Sequence, residues 1–370
     1  MGNRYYYYII AGTMTANIVA FVPRILINSR MEGMVVAILI GSFIGMGLIY
    51  SYTTLMSKFP GKSYADILYE YTPRWFAVFF TLFTASAWFT SGFIFLMGFT
   101  FIAKRFINPE ASLTSIVLLF LLPLLYGCVM DSKRLLYATE MMLVLIFPIL
   151  IIIFIKAYTS GNLHWTTMKI PIVNAGHIPA YFTIAAAGYT YDGVMNLAQF
   201  NKVFTKKIKI KRGIYITMGI IGILNLVTAS FIPIGINGID GVASINYPWI
   251  LTSDSFRIEL GFFERIFFPF LLLFMAVAIL VILHHWHVSY KFLNYALQFP
   301  NFTYKGKEVV PYLILTAFLA ITLLGVQRID EIFLFILEKW WFVIVQPLVI
   351  CHAIVLYFMY RRAKKCGSLS

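Results

Sequence analysis

Long apolar runs alternate with short polar and basic segments along nearly the whole chain, and this alternation predicts a bundle of membrane helices. A span needs about 20 mostly apolar residues. About ten stretches qualify: 5–28, 34–56, 75–102, 113–130, 135–157, 179–200, 214–236, 266–287, 309–326 and 340–360. The fourth and ninth are the shortest. The apolar stretch 329–337 is too short to cross and is expected in a loop before the last span. Two spans are broken in their middles. The first is interrupted by Ala16, Asn17 and Ile18 and then by Pro23. The sixth is interrupted by Gly188, Tyr189, Thr190, Tyr191, Asp192 and Gly193. Polar, glycine-flanked residues at mid-depth bring a membrane helix nothing unless the freed backbone has a task. Paired interruptions in corresponding positions of two halves point to a transporter-type binding site.

Composition supports a membrane reading. The 370 residues are 61% hydrophobic and only 12% charged, against about a quarter charged in soluble proteins. The net charge of +14 forms no continuous basic face, so nucleic acid is not an expected partner. Basic residues cluster instead between apolar runs: Lys58, Lys62 and Arg74, then Lys133 and Arg134, the run 202–212, Lys291, and the tail at 361–365. With the amino terminus inside, these fall on one side, which predicts two cytoplasmic termini and an even number of spans. The first run starts at Tyr5 with no small-residue cleavage site after it and reads as an uncleaved span. Cys128, Cys351 and Cys366 show no metal or disulfide spacing. Tyr5 to Tyr8 and the pair Trp340 and Trp341 read as aromatic belts at the interface. In the loop 237–264, the apolar pieces at Trp249, Ile250 and Leu251 and at Phe262 and Phe263 predict packing as a lid over the outer mouth. In 58–74, Tyr64, Ile67, Leu68 and Tyr71 share a helical face and predict a short interfacial helix.

The candidate chemistry lies mostly in the two breaks. Asp192 sits about 20 Å into the sixth span, where a carboxylate costs roughly 2.5–3.5 kcal/mol and must face a cavity or a partner. Gly188 and Gly193 let the helix open, and Tyr189, Thr190 and Tyr191 add polar groups. Exposed backbone there could bind a zwitterion, with a half-helix amino terminus favouring its carboxylate. In the first span, Thr13, Ala16, Asn17, Ile18 and Ala20 surround the matching interruption, with Thr13, Asn17 and Ala20 on one face. Packing glue between helices is the competing reading. Ser86, Trp88 and Ser91 are candidate pocket walls. Arg24 either snorkels outward or gates the outer mouth. Glu140 pairs with Arg134 or Lys133, or carries a coupling proton. His284, His285 and His287 read as boundary residues, although His284 and His287 share a face and a metal is formally possible. No phosphate loop, serine triad or zinc-protease motif occurs. Neither enzymatic activity nor a cofactor is expected.

The first span running to Phe21, Val22, Pro23 and Arg24 is followed by Met31, Glu32 and Gly33. Further on comes the segment Lys58, Phe59, Pro60, Gly61, Lys62, Ser63, Tyr64. Together they resemble the permease-like B subunit of spore nutrient-germinant receptors. The sixth span, ending in Asn196, Leu197, Ala198 and Gln199 before a lysine-rich loop, resembles the same family and the wider amino acid–polyamine–organocation transporter superfamily. The resemblance implies one all-α domain over 1–370 with ten helices in two inverted five-helix repeats, about 5–157 and 179–360, and a basic cytoplasmic tail at 361–370. It implies unwound helices one and six around the ligand and residence in the inner membrane of a spore-former. It implies A- and C-type partner subunits and an amino acid or similar nutrient as ligand, bound to signal germination. A stand-alone proton- or sodium-coupled amino acid transporter, with Asp192 or Glu140 as coupling acid, is the alternative, and a channel is a third. The chain departs from the family where Ala16 and Ile18 stand in place of glycines, and where Thr190 precedes Tyr191 and Asp192. Both changes narrow the pocket.

Overall fold

The computed structural model describes residues 2–17, 21–208, 210–256, 267–297, 303–304 and 307–367. The chain is helical almost throughout, as expected of a backbone that must satisfy its own polar groups in lipid. The first apolar segment is two helices, α1 (Arg4–Ala16) and α2 (Val22–Asn28). Next come α3 (Met34–Met56), the short α4 (Tyr64–Tyr71), α5 (Arg74–Phe106), α6 (Leu113–Val129) and α7 (Ser132–Tyr158). A surface connection holds α8 (Trp165–Met168) and α9 (Ile170–Val173). The second broken segment begins with α10 (Tyr181–Tyr189), continues as a 3-10 turn over Asp192–Asn196 and ends in α11 (Leu197–Phe200). Then follow α12 (Arg212–Asn237), α13 (Pro248–Asp254), α14 (Phe267–Ala296), a minimal antiparallel pair β1 (Thr303–Tyr304) and β2 (Lys307–Glu308), α15 (Val310–Arg328) and α16 (Glu331–Lys365).

Seven of the described helices are long and apolar enough to cross a membrane, and α6, at 17 residues, is slightly shorter. The protein is a multi-pass membrane protein. Large side chains such as Phe43, Leu119, Tyr126 and Met141 lie exposed on the outside of the bundle, where lipid is the solvent that tolerates them. Inside, close approach depends on small residues. A Cβ on Gly92 would lie 2.4 Å from the Trp286 ring, so α14 can lie along α5. There Trp286 Nε1 donates to the Phe89 carbonyl at 3.2 Å and Ser289 Oγ to that of Ala85 at 2.7 Å. A few helix starts are fixed by side-chain caps. Ser63 and Asp66 form a reciprocal capping box on α4, and Asp330 accepts from the Phe333 N–H at 2.7 Å to start α16.

Several expectations need correction. Residues 331–337 are not loop but the first two turns of the 35-residue α16, because Asp330 caps the helix there. The basic residues at 361–365 continue the same helix. Tyr5 and Tyr6 are buried, 4% and 0% exposed, rather than belted at the interface, because each hydroxyl finds a polar partner inside. Trp340 is exposed, while Trp341 is buried. Ser86 faces outward and bonds its own helix at Leu82. His284, His285 and His287 are buried. His284 meets Thr139 at 2.7 Å, and His287 meets Ser132 at 2.7 Å and the Cys128 carbonyl at 2.8 Å. Helix α4 forms as expected, but its apolar face packs on the bundle, with Tyr64 OH donating to the His352 carbonyl at 3.2 Å. In the loop after α12, Trp249 and Ile250 are fully buried in α13. Phe262 and Phe263, and with them the end of the expected lid, lie outside the described residues, as do Ile18 and Ala20.

Candidate functional site

Both interruptions are real, and they meet. Helix α1 ends at Ala16, and α2 starts only at Val22. Helix α10 ends at Tyr189, after which Thr190 and Tyr191 form a turn and the chain tightens to 3-10 geometry. Asn17, at the end of α1, donates from Nδ2 to the carbonyl of Tyr189 at 3.4 Å. The side chain of one break thus bonds a carbonyl freed by the other. Below that bond, Thr13 packs directly on Gly193, where a Cβ would stand 2.5 Å from Thr13 Cβ. A glycine is therefore required for the approach of the two segments. Thr13 Oγ1 returns to the Ile9 carbonyl of its own helix at 3.3 Å, and Ala16 is fully buried beside Asn17.

Asp192 is buried, 8% exposed. Its Oδ2 accepts from Gln346 Nε2 of α16 at 2.9 Å, and its Oδ1 has no partner. Gly188 makes the contact possible, since Gln346 Oε1 lies 3.0 Å from where a Cβ would be. Around this acid, Thr190 Oγ1 and Asn196 Nδ2 also lack partners. Trp88 and Ser91, both on α5, face the same segment: Trp88 Nε1 donates to Asn196 Oδ1 at 2.9 Å, and Ser91 Oγ meets Tyr189 OH at 2.7 Å. The Tyr189 ring rests against Phe342 of α16, 4.7 Å between centroids. Buried polar groups are nearly always satisfied, and the unpartnered atoms on Asp192, Thr190 and Asn196, close together along the second broken segment, are exceptions to that rule.

Three predicted residues sit elsewhere. Tyr191 is wholly buried between α3 and α12, with Gly45 and Gly222 each leaving room for its ring. Glu140 belongs to the end of α1: Arg4 Nη2 lies 2.8 Å from Oε1, and Tyr5 OH donates to Oε2. Its expected partners, Arg134 and Lys133, are not the ones it takes, because α1 reaches it first. Arg24 lies on α2, half-buried, with its guanidinium 3.4 Å above the Phe335 ring. Gln346 and Asn196 were not among the predicted residues. The one available signal was an amide alone in an apolar run, which packing between helices explains equally well.

At the end of the bundle that carries the chain termini, the breaks are tied off by polar contacts. Tyr6 OH donates to Asn201 Oδ1, and Asn201 Nδ2 donates to the carbonyls of Phe59 and Lys62, both at 2.8 Å. Nearby, Asp66 accepts from the Ser63 N–H at 2.9 Å and pairs with Lys202 at 3.2 Å. Burial pushes the Asp66 carboxyl up, but the Ser63 bonds and the Lys202 charge outweigh it and hold the group below the usual aspartate range.

Residues 4–328 match the spore permease family, described as spore germination protein, and the chain belongs to that family. No curated protein sequence matches it.

Proposed function

We propose, with membership of the spore germination family as the premise, that this protein binds a small nutrient of the amino acid class where its two broken spans meet. Binding changes the helix arrangement, and A- and C-type receptor subunits read that change and trigger germination. The observation that carries this reading is the bond from Asn17 to the Tyr189 carbonyl, beside an Asp192 with one unpartnered oxygen. An ammonium group would take the free Asp192 oxygen. A carboxylate would take the Asn196 amide, whose oxygen is already engaged by Trp88. The Tyr189–Phe342 contact would separate the ligand from the side opposite the termini.

In this reading the chain is one domain of ten spans in two inverted repeats, about 5–157 and 179–360. The two broken segments, the seven long helices and the shorter α6 support that count. The basic clusters support cytoplasmic termini, and family membership supports the spore inner membrane. The free Asp192 oxygen also favours a second reading, a coupled amino acid transporter in which this acid carries the proton or faces the sodium ion.

The test is thermal stability of the purified protein in detergent against amino acids, sugars and nucleosides. A compound that binds the folded state raises its apparent stability. One or a few amino acids are expected to do so, with the shift reduced in Asn17→Leu and in Asp192→Asn. Spores with either variant should need more nutrient for the same response. Unchanged shifts and dose–response curves in both variants would remove the site. Saturable flux in vesicles of this protein alone would favour the transporter.

A further inference from the structure

At the end of the bundle opposite the chain termini, Arg24 and Glu338 each have a buried side-chain atom without a hydrogen-bond partner. Glu338 is 2% exposed, and its Oε1 meets no donor. Arg24 Nη1 meets no acceptor. Both line one cavity of about 480 Å³, with Glu32, Phe335, Lys339 and Trp340. The other charges nearby do not pair with them: Glu32, on the same cavity, is exposed and belongs to none of the four ion pairs among the described residues. Glu331 is held by Arg105 at 2.6 Å and by Asn246 at 3.2 Å. Lys339 lies over the Phe182 ring, 3.9 Å from its centroid. The four ion pairs among the described residues do not include Arg24 with Glu338, although the two groups interact electrostatically.

A buried ionisable group without a partner is costly, and the cost is removed only by a group that supplies the missing bonds. Here a cation and an acid line the same space without pairing. A guanidinium stacked on an aromatic ring presents its edge to a carboxylate, often with two parallel bonds. A carboxyl group accepts from an ammonium. An α-amino acid carries both partners on one carbon. The cavity volume falls in the usual range of small-molecule sites, roughly 300–1,000 Å³, and the Phe335 and Trp340 rings offer apolar surface to a side chain. On α16, Glu338 precedes Gln346 by a rise of about 12 Å, and the Tyr189–Phe342 contact lies between them in sequence and space.

We propose that this cavity is a second amino acid site, separate from the one at the helix breaks, which binds the zwitterion between Arg24 and Glu338. Ligand would meet it before the Tyr189–Phe342 barrier. The site goes beyond the reading given above and can stand if that reading falls.

The experiment is isothermal titration of the full-length protein in lipid nanodiscs with the twenty protein amino acids. It is run on wild type, Asn17→Leu, Arg24→Met, Glu338→Gln and the conservative Arg24→Lys. In the Asn17→Leu background at least one amino acid should still bind. Its affinity should fall at least about tenfold on adding Arg24→Met or Glu338→Gln, and Arg24→Lys should restore part of it. The corresponding amine and the corresponding acid, each lacking one charge, should not bind. As a check that does not need the charge variants to fold, bound amino acid should slow maleimide labelling of Asn28→Cys on the cavity wall, measured with the exposed Cys351 and Cys366 replaced by serine. Binding abolished by Asn17→Leu alone would leave a single site at the breaks and overturn the proposal. So would binding in Asn17→Leu that survives both Arg24→Met and Glu338→Gln, and so would no binding by any of the twenty to wild type. That last result would remove the first site as well, whereas the other two leave it intact.

Discussion

Replacing Gly193 with alanine should force the two broken spans apart. The new Cβ would stand 2.5 Å from Thr13 Cβ and 2.6 Å from Thr13 Oγ1. Carbon atoms in good contact are about 3.5–4.0 Å apart, so one element must move by about 1 Å. Neither neighbour yields easily: Thr13 Cβ is fixed to α1, and the Ile9 carbonyl at 3.3 Å is backbone. Over-packing of this kind costs about 1–3 kcal/mol. The Asn17–Tyr189 bond, already at 3.4 Å, has no slack to absorb the shift, and its loss adds about 0.6 kcal/mol, the average for such bonds in membranes. The total is about 2–4 kcal/mol. Thr13→Gly removes the opposing Cβ and costs roughly 1 kcal/mol on its own as a helix glycine. The double variant should therefore be more stable than the two single losses predict, by at least about 1 kcal/mol. SDS titration in mixed micelles measures all four proteins. Wild-type stability in Gly193→Ala, or strict additivity in the double variant, would refute the close packing of the two breaks.

Tyr6→Phe removes the donor to Asn201 and should cost about 1 kcal/mol, with faster hydrogen exchange over residues 59–63. Unchanged exchange there would mean that Asn201 holds the carbonyls of Phe59 and Lys62 without Tyr6. Stability should also depend on acid through Asp66, whose carboxyl is held below its usual 3.8. A depressed carboxyl contributes above its unfolded value and loses that contribution as pH falls through its folded value. The advantage of wild type over Asp66→Asn in melting temperature should thus be full near neutrality and fade below about pH 4. An advantage that is constant across that range would assign it to packing.

The elements of this fold were legible in the sequence wherever one residue type sufficed to define them. Both helix breaks could be read because glycine and polar residues at mid-depth have few other uses. Helix α4 could be read because four apolar residues share one face. Partners were not legible, since the rotation of one helix against another leaves no trace in periodicity. Glu140 lies within reach of Lys133 and Arg134 along the chain but pairs with Arg4 across the bundle. Tyr5 and Tyr6 have the composition of a belt, and only their contacts with Glu140 and Asn201 place them inside. Gln346 was silent because one amide in an apolar run looks like any other. Glu338 was hidden for a different reason: its helix starts two turns before the apolar run that announces the last span.

The length of that last helix has a mechanical consequence. At 35 residues, α16 is a rod of about 52 Å, far longer than the roughly 30 Å hydrocarbon layer. Along it lie, in order, Glu338 in the cavity, Gln346 on Asp192, His352 under Tyr64, and Arg362 donating to the Tyr71 carbonyl at 2.9 Å. A tilt of about 5° around its midpoint would carry each end through about 2 Å. That is the scale of helix displacement by which protein interfaces switch. Pro347, near the midpoint, removes one backbone hydrogen bond from the helix, and this places the natural pivot between the arm that carries Glu338 and the arm that meets α4.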